Sequence, residues 1–278
     1  MDFLNSASSS DLGTLALGLL LAGVVSGLIA GLLGVGGGIV VVPVLYNVLA
    51  TIGVDESIRM HVAVGTSLAA IIPTSLSSMR AHAKRGAVDW SLIKQWAVPM
   101  VAGVIAGSFL AGIASGSTLA IVFASVALPV AMFLALGRED ARIANHLPHG
   151  MGGAASAALI GGVSTMMGIG GGTVGVPIMT LCGVPIHRAV GTASAFGIII
   201  SLPGTIGMIV NGWHHAGLPM YSIGYVNLLG FALIAPASFV FAPIGAHLAH
   251  MASRRRLRVV FAVFIAITAL RMVYDVLF

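Results

Sequence analysis

Charge is what this sequence has least of. Only 8% of its 278 residues are charged and its mean hydropathy is +1.06, whereas soluble domains carry roughly 25% charged residues. A soluble domain of this length would bury a large core and still need a charged surface, so the chain reads as an integral membrane protein. It holds one cysteine, Cys182, which excludes an internal disulfide. It contains no H-E-x-x-H, G-x-S-x-G or G-x-x-x-x-G-K-[ST] motif, so zinc protease, serine hydrolase and P-loop chemistry lose their usual support. Its eight acidic residues, Asp2, Asp11, Asp55, Glu56, Asp89, Glu139, Asp140 and Asp275, all fall in loops or at segment ends. Cation carriers usually place a carboxylate within the membrane; a pathway lined by donors and free of acids suits an anion. The net charge of +5 does not indicate nucleic acid, because the cations sit in short clusters between apolar runs.

What is abundant is apolar length. Residues Met1 to Asp11 are polar and lack the positive region of a signal peptide, so 12–33 is expected to be a retained first membrane helix. Further apolar segments follow at 39–50, 61–79, 91–113, 118–136, 150–168, 173–182, 187–210, 225–250 and 258–277. A spanning helix needs about 20 residues. Eight of the ten segments meet that need, while 39–50 and 173–182 are too short and read as half-helices.

Each short segment follows a glycine cluster. Gly34-Val35-Gly36-Gly37-Gly38 runs into Ile39-Val40-Val41-Val42-Pro43, and Gly168-Ile169-Gly170-Gly171-Gly172 runs into Thr173-Val174-Gly175-Val176-Pro177, 134 positions later. The proline is expected to close the motif. Three consecutive glycines make a poor helix interior, at about 1 kcal/mol each relative to alanine. In a membrane such a break persists only where freed backbone groups are buried in protein or line a cavity.

The halves match beyond the glycines. His61-Val62-Ala63-Val64-Gly65-Thr66-Ser67 aligns with His187-Arg188-Ala189-Val190-Gly191-Thr192-Ala193, and Gly86-Ala87-Val88-Asp89 with Gly224-Tyr225-Val226-Asn227. The chain therefore reads as all-α and polytopic, with a first repeat in 1–137, a cytoplasmic linker at 138–149 and a second repeat in 150–278. Equivalent loops have opposite charge. Arg80, Lys84, Arg85 and Lys94 flank one loop of the first repeat, whereas 211–222 has no cation; Ala114 to Ser117 is uncharged, whereas its counterpart carries Arg254, Arg255, Arg256 and Arg258. Because cytoplasmic loops collect Lys and Arg, the repeats are expected to be inverted. Alternate threading puts eleven of the thirteen cations inside, leaves Arg59 and Arg271 outside, and places both termini outside the cytoplasm.

Three meanings of the glycine clusters were weighed. Close helix packing accounts for the four-residue steps Gly23, Gly27, Gly31 and Gly103, Gly107, but not for three glycines in a row. A dinucleotide fingerprint, with Asp55 downstream of Gly36, is disfavoured by membrane-length flanks and by the lack of an acid in the second copy. The third meaning, an anion site at paired helix N-termini, is favoured: glycine admits a substrate to unpaired N–H groups at the positive end of the helix dipole. Candidate substrate-binding residues are Gly36, Gly37, Gly38, Gly65, Thr66, Ser67, Gly170, Gly171, Gly172, Gly191, Thr192 and Ser194, with His61 and His187 at the two entrances. Serine and threonine in membrane helices often bond their own backbone instead. His146 with His149, His214 with His215 and His247 with His250 lack nearby Cys, Asp or Glu at ligand spacing, so no metal, cofactor or catalytic residue is assigned.

The paired G-[VI]-G-G-G clusters, each followed by H-x-A-V-G-T, resemble the sulfite exporter family of the TauE/SafE type over both repeats. The resemblance implies export of small sulfur-containing anions such as sulfite, sulfonates or sulfoacetate across the bacterial inner membrane. It implies substrate contacts at Gly36 to Gly38, Gly65-Thr66, Gly170 to Gly172 and Gly191-Thr192; Ala193 stands where the first repeat has Ser67. A carrier or channel for another small anion, and an intramembrane enzyme using histidine and metal, remain alternatives. The expected partners are a small anion and the lipid bilayer, with no nucleic acid; a homodimer is open to it.

Overall fold

The structure is a computed structural model. It describes residues 9–136, 143–144 and 146–249, and in the last segment 262–263, 266–267, 269–271 and 274. Residues 1–8, residues 137–142 and the arginine cluster at 254–258 lie outside the described residues.

The first repeat folds as α1 (Ser9–Leu33), α2 (Gly38–Thr51), α3 (Glu56–Ala83), α4 (Trp90–Ile113) and α5 (Gly116–Leu136). The second gives α6 (Gly150–Met167), α7 (Gly172–Leu181), α8 (Ile186–Gly212) and α9 (Leu228–Leu248). Two short antiparallel strands, β1 (Ser222–Ile223) and β2 (Val226–Asn227), precede α9. Six of the described helices, α1, α3, α4, α5, α8 and α9, are long and apolar enough to cross a membrane. The sequence suggests eight spans. The difference is α6, which five glycines in 18 residues make less apolar, and the last segment, mostly outside the described residues. The two glycine clusters do break the chain, and the helices after them have 14 and 10 residues. Pro43 and Pro177, which end the glycine motifs, lie inside these helices. Each lacks the N–H that the helix would donate one turn back, so both half-helices begin with a weakened ladder.

Packing crosses between the repeats. On α1, Gly23, Gly27 and Gly31 face the α9 backbone at Ile234, Ser238 and Ala242; on α4, Gly103 and Gly107 face α6 at Ala158 and Gly162. The first helix of one repeat thus packs on the fourth of the other, twice over. The four-residue glycine steps serve this close approach, as credited to them. The third helices, α3 and α8, pack on each other at the centre. Being the most enclosed, α3 has 78% of its most apolar window buried, against 39% for α1 and α4.

The loops sort into two ends. Glu56 and Ser57 lie beside Gly116, and with His215 and Tyr225 they line one cleft. At the other end Arg85 donates to the Ala246 carbonyl at 2.6 Å and meets His247 at 2.9 Å, Arg188 pairs with Asp89, and the Ile143 and Ala144 N–H groups bond the Leu181 carbonyl. These two sets are the ones that alternate threading assigns to opposite faces. Single cysteines at Ser117 and Gly217 should therefore label from one side of the membrane, and cysteines at Ala83 and Ala144 from the other. Labelling of Ser117 and Ala83 from the same side would contradict the arrangement.

Candidate functional site

Two glycine breaks meet at the centre of the protein. Gly34 and Gly168, equivalent positions, both take left-handed backbone (φ 68° and 67°), which glycine adopts without the steric cost of a Cβ and which ends α1 and α6. Each turns its backbone onto the third helix of the other repeat: Gly34 onto Val190 of α8, Gly168 onto Val64 of α3. Between them Gly36 abuts Gly170, with a built Cβ on either lying 3.1 Å from the other's Cα. A Cβ on Gly38 would stand 2.5 Å from the Gly168 carbonyl oxygen, and one on Gly172 would overlap the Gly34 carbonyl. The N-termini of α2 and α7 are therefore brought together backbone against backbone. Gly37, φ 79°, lies against Ser26, while Gly171 lies against Phe196 and Ile200.

The Gly-Thr pairs lie away from this contact and bind the repeats to each other. Gly65 packs on the Tyr225 carbonyl and Gly191 on the Ala87 carbonyl. One residue on, the Asn227 N–H donates to the Thr66 hydroxyl at 2.9 Å, and the Asp89 N–H donates to the Thr192 hydroxyl at 2.9 Å. Both threonines are fully buried. Asn227 and Asp89, equivalent by sequence, each also cap the helix that follows: Asn227 Oδ1 accepts from Gly230 N–H, and Asp89 Oδ1 from Ser91 and Leu92 N–H. The G-[AY]-V-[DN] match is thus the signature of two reciprocal clasps. They differ in charge. Only the Asp89 clasp has an ion pair, Arg188 Nη2 to Asp89 Oδ2 at 3.0 Å. Partial burial raises the Asp89 carboxyl, but bonds from Ser91 and Leu92 and the Arg188 guanidinium outweigh this and hold it below the usual value.

The other candidates divide. Ser67 reaches the second break, donating to the Gly168 carbonyl at 2.7 Å, whereas Ser194 is turned back onto its own helix at the Gly191 carbonyl, 2.6 Å away. His61 is buried at one end, Nε2 on the Ala114 carbonyl at 3.0 Å and its ring 4.9 Å from Tyr225. It lines a cleft of about 480 Å³ together with Glu56, Ser57, Ser115, Ser117 and His215. His187, its counterpart, is exposed at the start of α8. The two histidines thus lie at separate ends, neither in the contact between the breaks. Among the described residues no three of His, Cys, Asp and Glu gather closely enough to hold a metal.

Residues that motif spacing does not single out come closest to the breaks. Ser75 is fully buried, its hydroxyl unpartnered and 3.4 Å from a built Cβ on Gly36. Thr173, in the first turn of α7, Ser164 near the end of α6 and Ser201 on α8 are also buried with unpartnered hydroxyls. Ser75 and Ser201 each stand 14 residues after the repeat histidine, and that shared register was the available signal.

Comparison with known proteins agrees with this architecture. The family model described as sulfite exporter TauE/SafE matches residues 19–272. A probable membrane transporter protein of Haemophilus influenzae is 33% identical over 254 residues, covering 91% of this chain and 96% of its own length. Probable membrane transporter proteins of Methanocaldococcus jannaschii and Bacillus subtilis are 25% and 24% identical, covering 91% and 94% of this chain and 94% and 98% of their own. No solved structure matches the chain.

Two measurements check the clasps. Thr66→Val leaves the buried Asn227 N–H unpaired and should lower stability in detergent by about 1–3 kcal/mol; Thr192→Val, which frees the part-buried Asp89 N–H, should lower it by less. Unchanged melting in both variants would remove the clasps from the account. Because the Asp89 carboxyl is held low, its contribution should be complete above about pH 4, the ordinary carboxylate value, and should fade as pH drops through the lowered one. The stability gap between the wild type and Asp89→Asn should be constant at neutral pH and shrink only in strong acid; a gap that closes near neutrality would contradict it.

Proposed function

The chain belongs to the sulfite exporter TauE/SafE family, and from that premise we propose that it is a secondary transporter exporting a small sulfur oxyanion, such as sulfite, a sulfonate or sulfoacetate, across the bacterial inner membrane, with both termini outside the cytoplasm. The observation that carries the reading is the meeting of two helix N-termini, α2 and α7, at a Cβ-free contact edged by buried hydroxyls without partners. Unpaired N–H groups at helix starts attract anions, and a buried polar group without a partner costs free energy that a bound oxyanion restores.

Alternating access needs two closures that open in turn. The Thr66–Asn227 and Thr192–Asp89 clasps tie the repeats at corresponding places, and they are the natural inner and outer closures. Rocking one repeat against the other releases one clasp while the other holds, exposing the break contact to one face at a time. The Asp89–Arg188 pair gives the clasp on the proposed cytoplasmic side a charged contact at the surface, where ion pairs are worth about 0–1 kcal/mol.

No carboxylate lies in a described span away from its ends, so a proton relay of the usual kind is not part of the mechanism. A potential negative inside drives an anion outward with about 2.3 kcal/mol per charge per 100 mV, enough to move it uphill without a coupled ion. Efflux of sulfite or a sulfonate from proteoliposomes should therefore follow imposed voltage and persist when His61 and His187 are both replaced by Gln. Flux driven by a pH gradient at zero voltage, and lost in that double variant, would make the histidines proton carriers instead. Flux of none of these anions, with flux of another small anion, would favour the alternative carrier reading.

A further inference from the structure

The residues around the breaks offer hydrogen bonds but no charge. The atoms nearest the glycines from Gly34 to Gly38 and from Gly168 to Gly172 belong to glycine, valine, isoleucine, phenylalanine and serine. The unpartnered buried groups beside them in space or along the chain, Ser75, Thr173 and Ser164, are neutral hydroxyls. Among the described residues, Arg59 lies over the Tyr46 ring, Arg85 on Ala246 and His247, and Arg188 on Asp89, all away from the breaks. Fixed charge at the contact is small: the starts of α2 and α7 bring roughly half a positive charge each, and the ends of α1 and α6 at the same breaks roughly half a negative charge each. The contact therefore offers dipoles and no net charge that would offset a second negative charge on a bound ion.

We propose that this site admits singly charged oxyanions, hydrogensulfite or an alkylsulfonate, and excludes dianions: sulfate and, among the substrates named above, sulfoacetate, whose carboxylate adds a second charge. This rests on the reading of the breaks as the anion site. The cost of removing an ion from water grows as the square of its charge, whereas its attraction to fixed hydroxyl and N–H dipoles grows only in proportion to the charge. A second negative charge therefore multiplies the penalty about fourfold while doubling the return, and an unpaired buried charge is the costliest arrangement a protein interior can hold. A site for dianions would need a cation in contact; here the polar side chains beside the breaks are the hydroxyls of Ser26, Ser67 and Ser75. The rule also makes sulfite recognition depend on the protonation of the substrate, not of the protein.

The test is anion binding to the full-length protein in detergent, with methanesulfonate, sulfate and sulfite as probes. Methanesulfonate, whose single charge does not change with pH, should bind, and sulfate should bind at least ~100-fold more weakly. Sulfite affinity should fall as pH rises and hydrogensulfite loses its proton, while methanesulfonate affinity stays constant. Ser75→Ala, a small change in a buried position, should weaken methanesulfonate by roughly tenfold. Sulfate affinity within threefold of methanesulfonate would overturn the charge rule and leave the anion-carrier reading standing. Methanesulfonate affinity unchanged in both Ser75→Ala and Thr173→Val would overturn the placement, and binding of none of the three probes would overturn the carrier reading itself.

Discussion

The fold depends on backbone meeting backbone without Cβ atoms between. Gly36 on Gly170, Gly38 on the Gly168 carbonyl and Gly172 on the Gly34 carbonyl bring two interrupted helices closer than any other residue permits. In lipid, an interrupted helix is tolerable only if its freed N–H and C=O groups are shielded by protein or line a cavity. Each break is therefore the condition for the other: the second covers the first, and both are enclosed by α3 and α8. The reciprocal use of every device follows from this pairing. Gly34 turns onto Val190 while Gly168 turns onto Val64, and Thr66 holds Asn227 while Thr192 holds Asp89.

Much of this was legible in the sequence because its signals are local. Apolar length marked the segments, three glycines marked each break, and a shared motif marked the repeats. The roles of the motif residues were less legible, since they depend on which segments touch. Thr66 and Thr192 read as substrate donors, yet each hydroxyl receives an N–H from the opposite repeat; no spacing within one repeat reveals a bond made between repeats. Ser194 resembles Ser67 on paper, but one bonds its own helix and the other crosses to the second break. Ser75 carries no signal within its own segment, because a single serine in a membrane helix stands out only once a glycine from another segment, here Gly36, is packed beside it. The matched pair His61 and His187 diverged for the same reason: Ala114 and Tyr225 enclose one, and the other stands at an exposed helix start.

Function emerges from the same constraint. A break that must be covered by another break creates, at the repeat interface, a place where two helix starts converge and side chains are absent. On the proposed reading, hydroxyls without a fixed cation would favour an anion without trapping it, since no ion pair must be separated on release. The clasps at Thr66 and Thr192 would then be the two closures around one central contact.

The central claim is that the anion lies between the glycine breaks, and its most direct test is to see an anion there. A structure of the protein with selenite, a heavier analogue of sulfite, added at mildly acidic pH would locate the selenium by its anomalous scattering. The account predicts selenium between Gly36 and Gly170, within hydrogen-bond reach of Ser75. Selenium found only in the cleft lined by His61, His215 and Glu56, with the breaks closed upon each other, would contradict it.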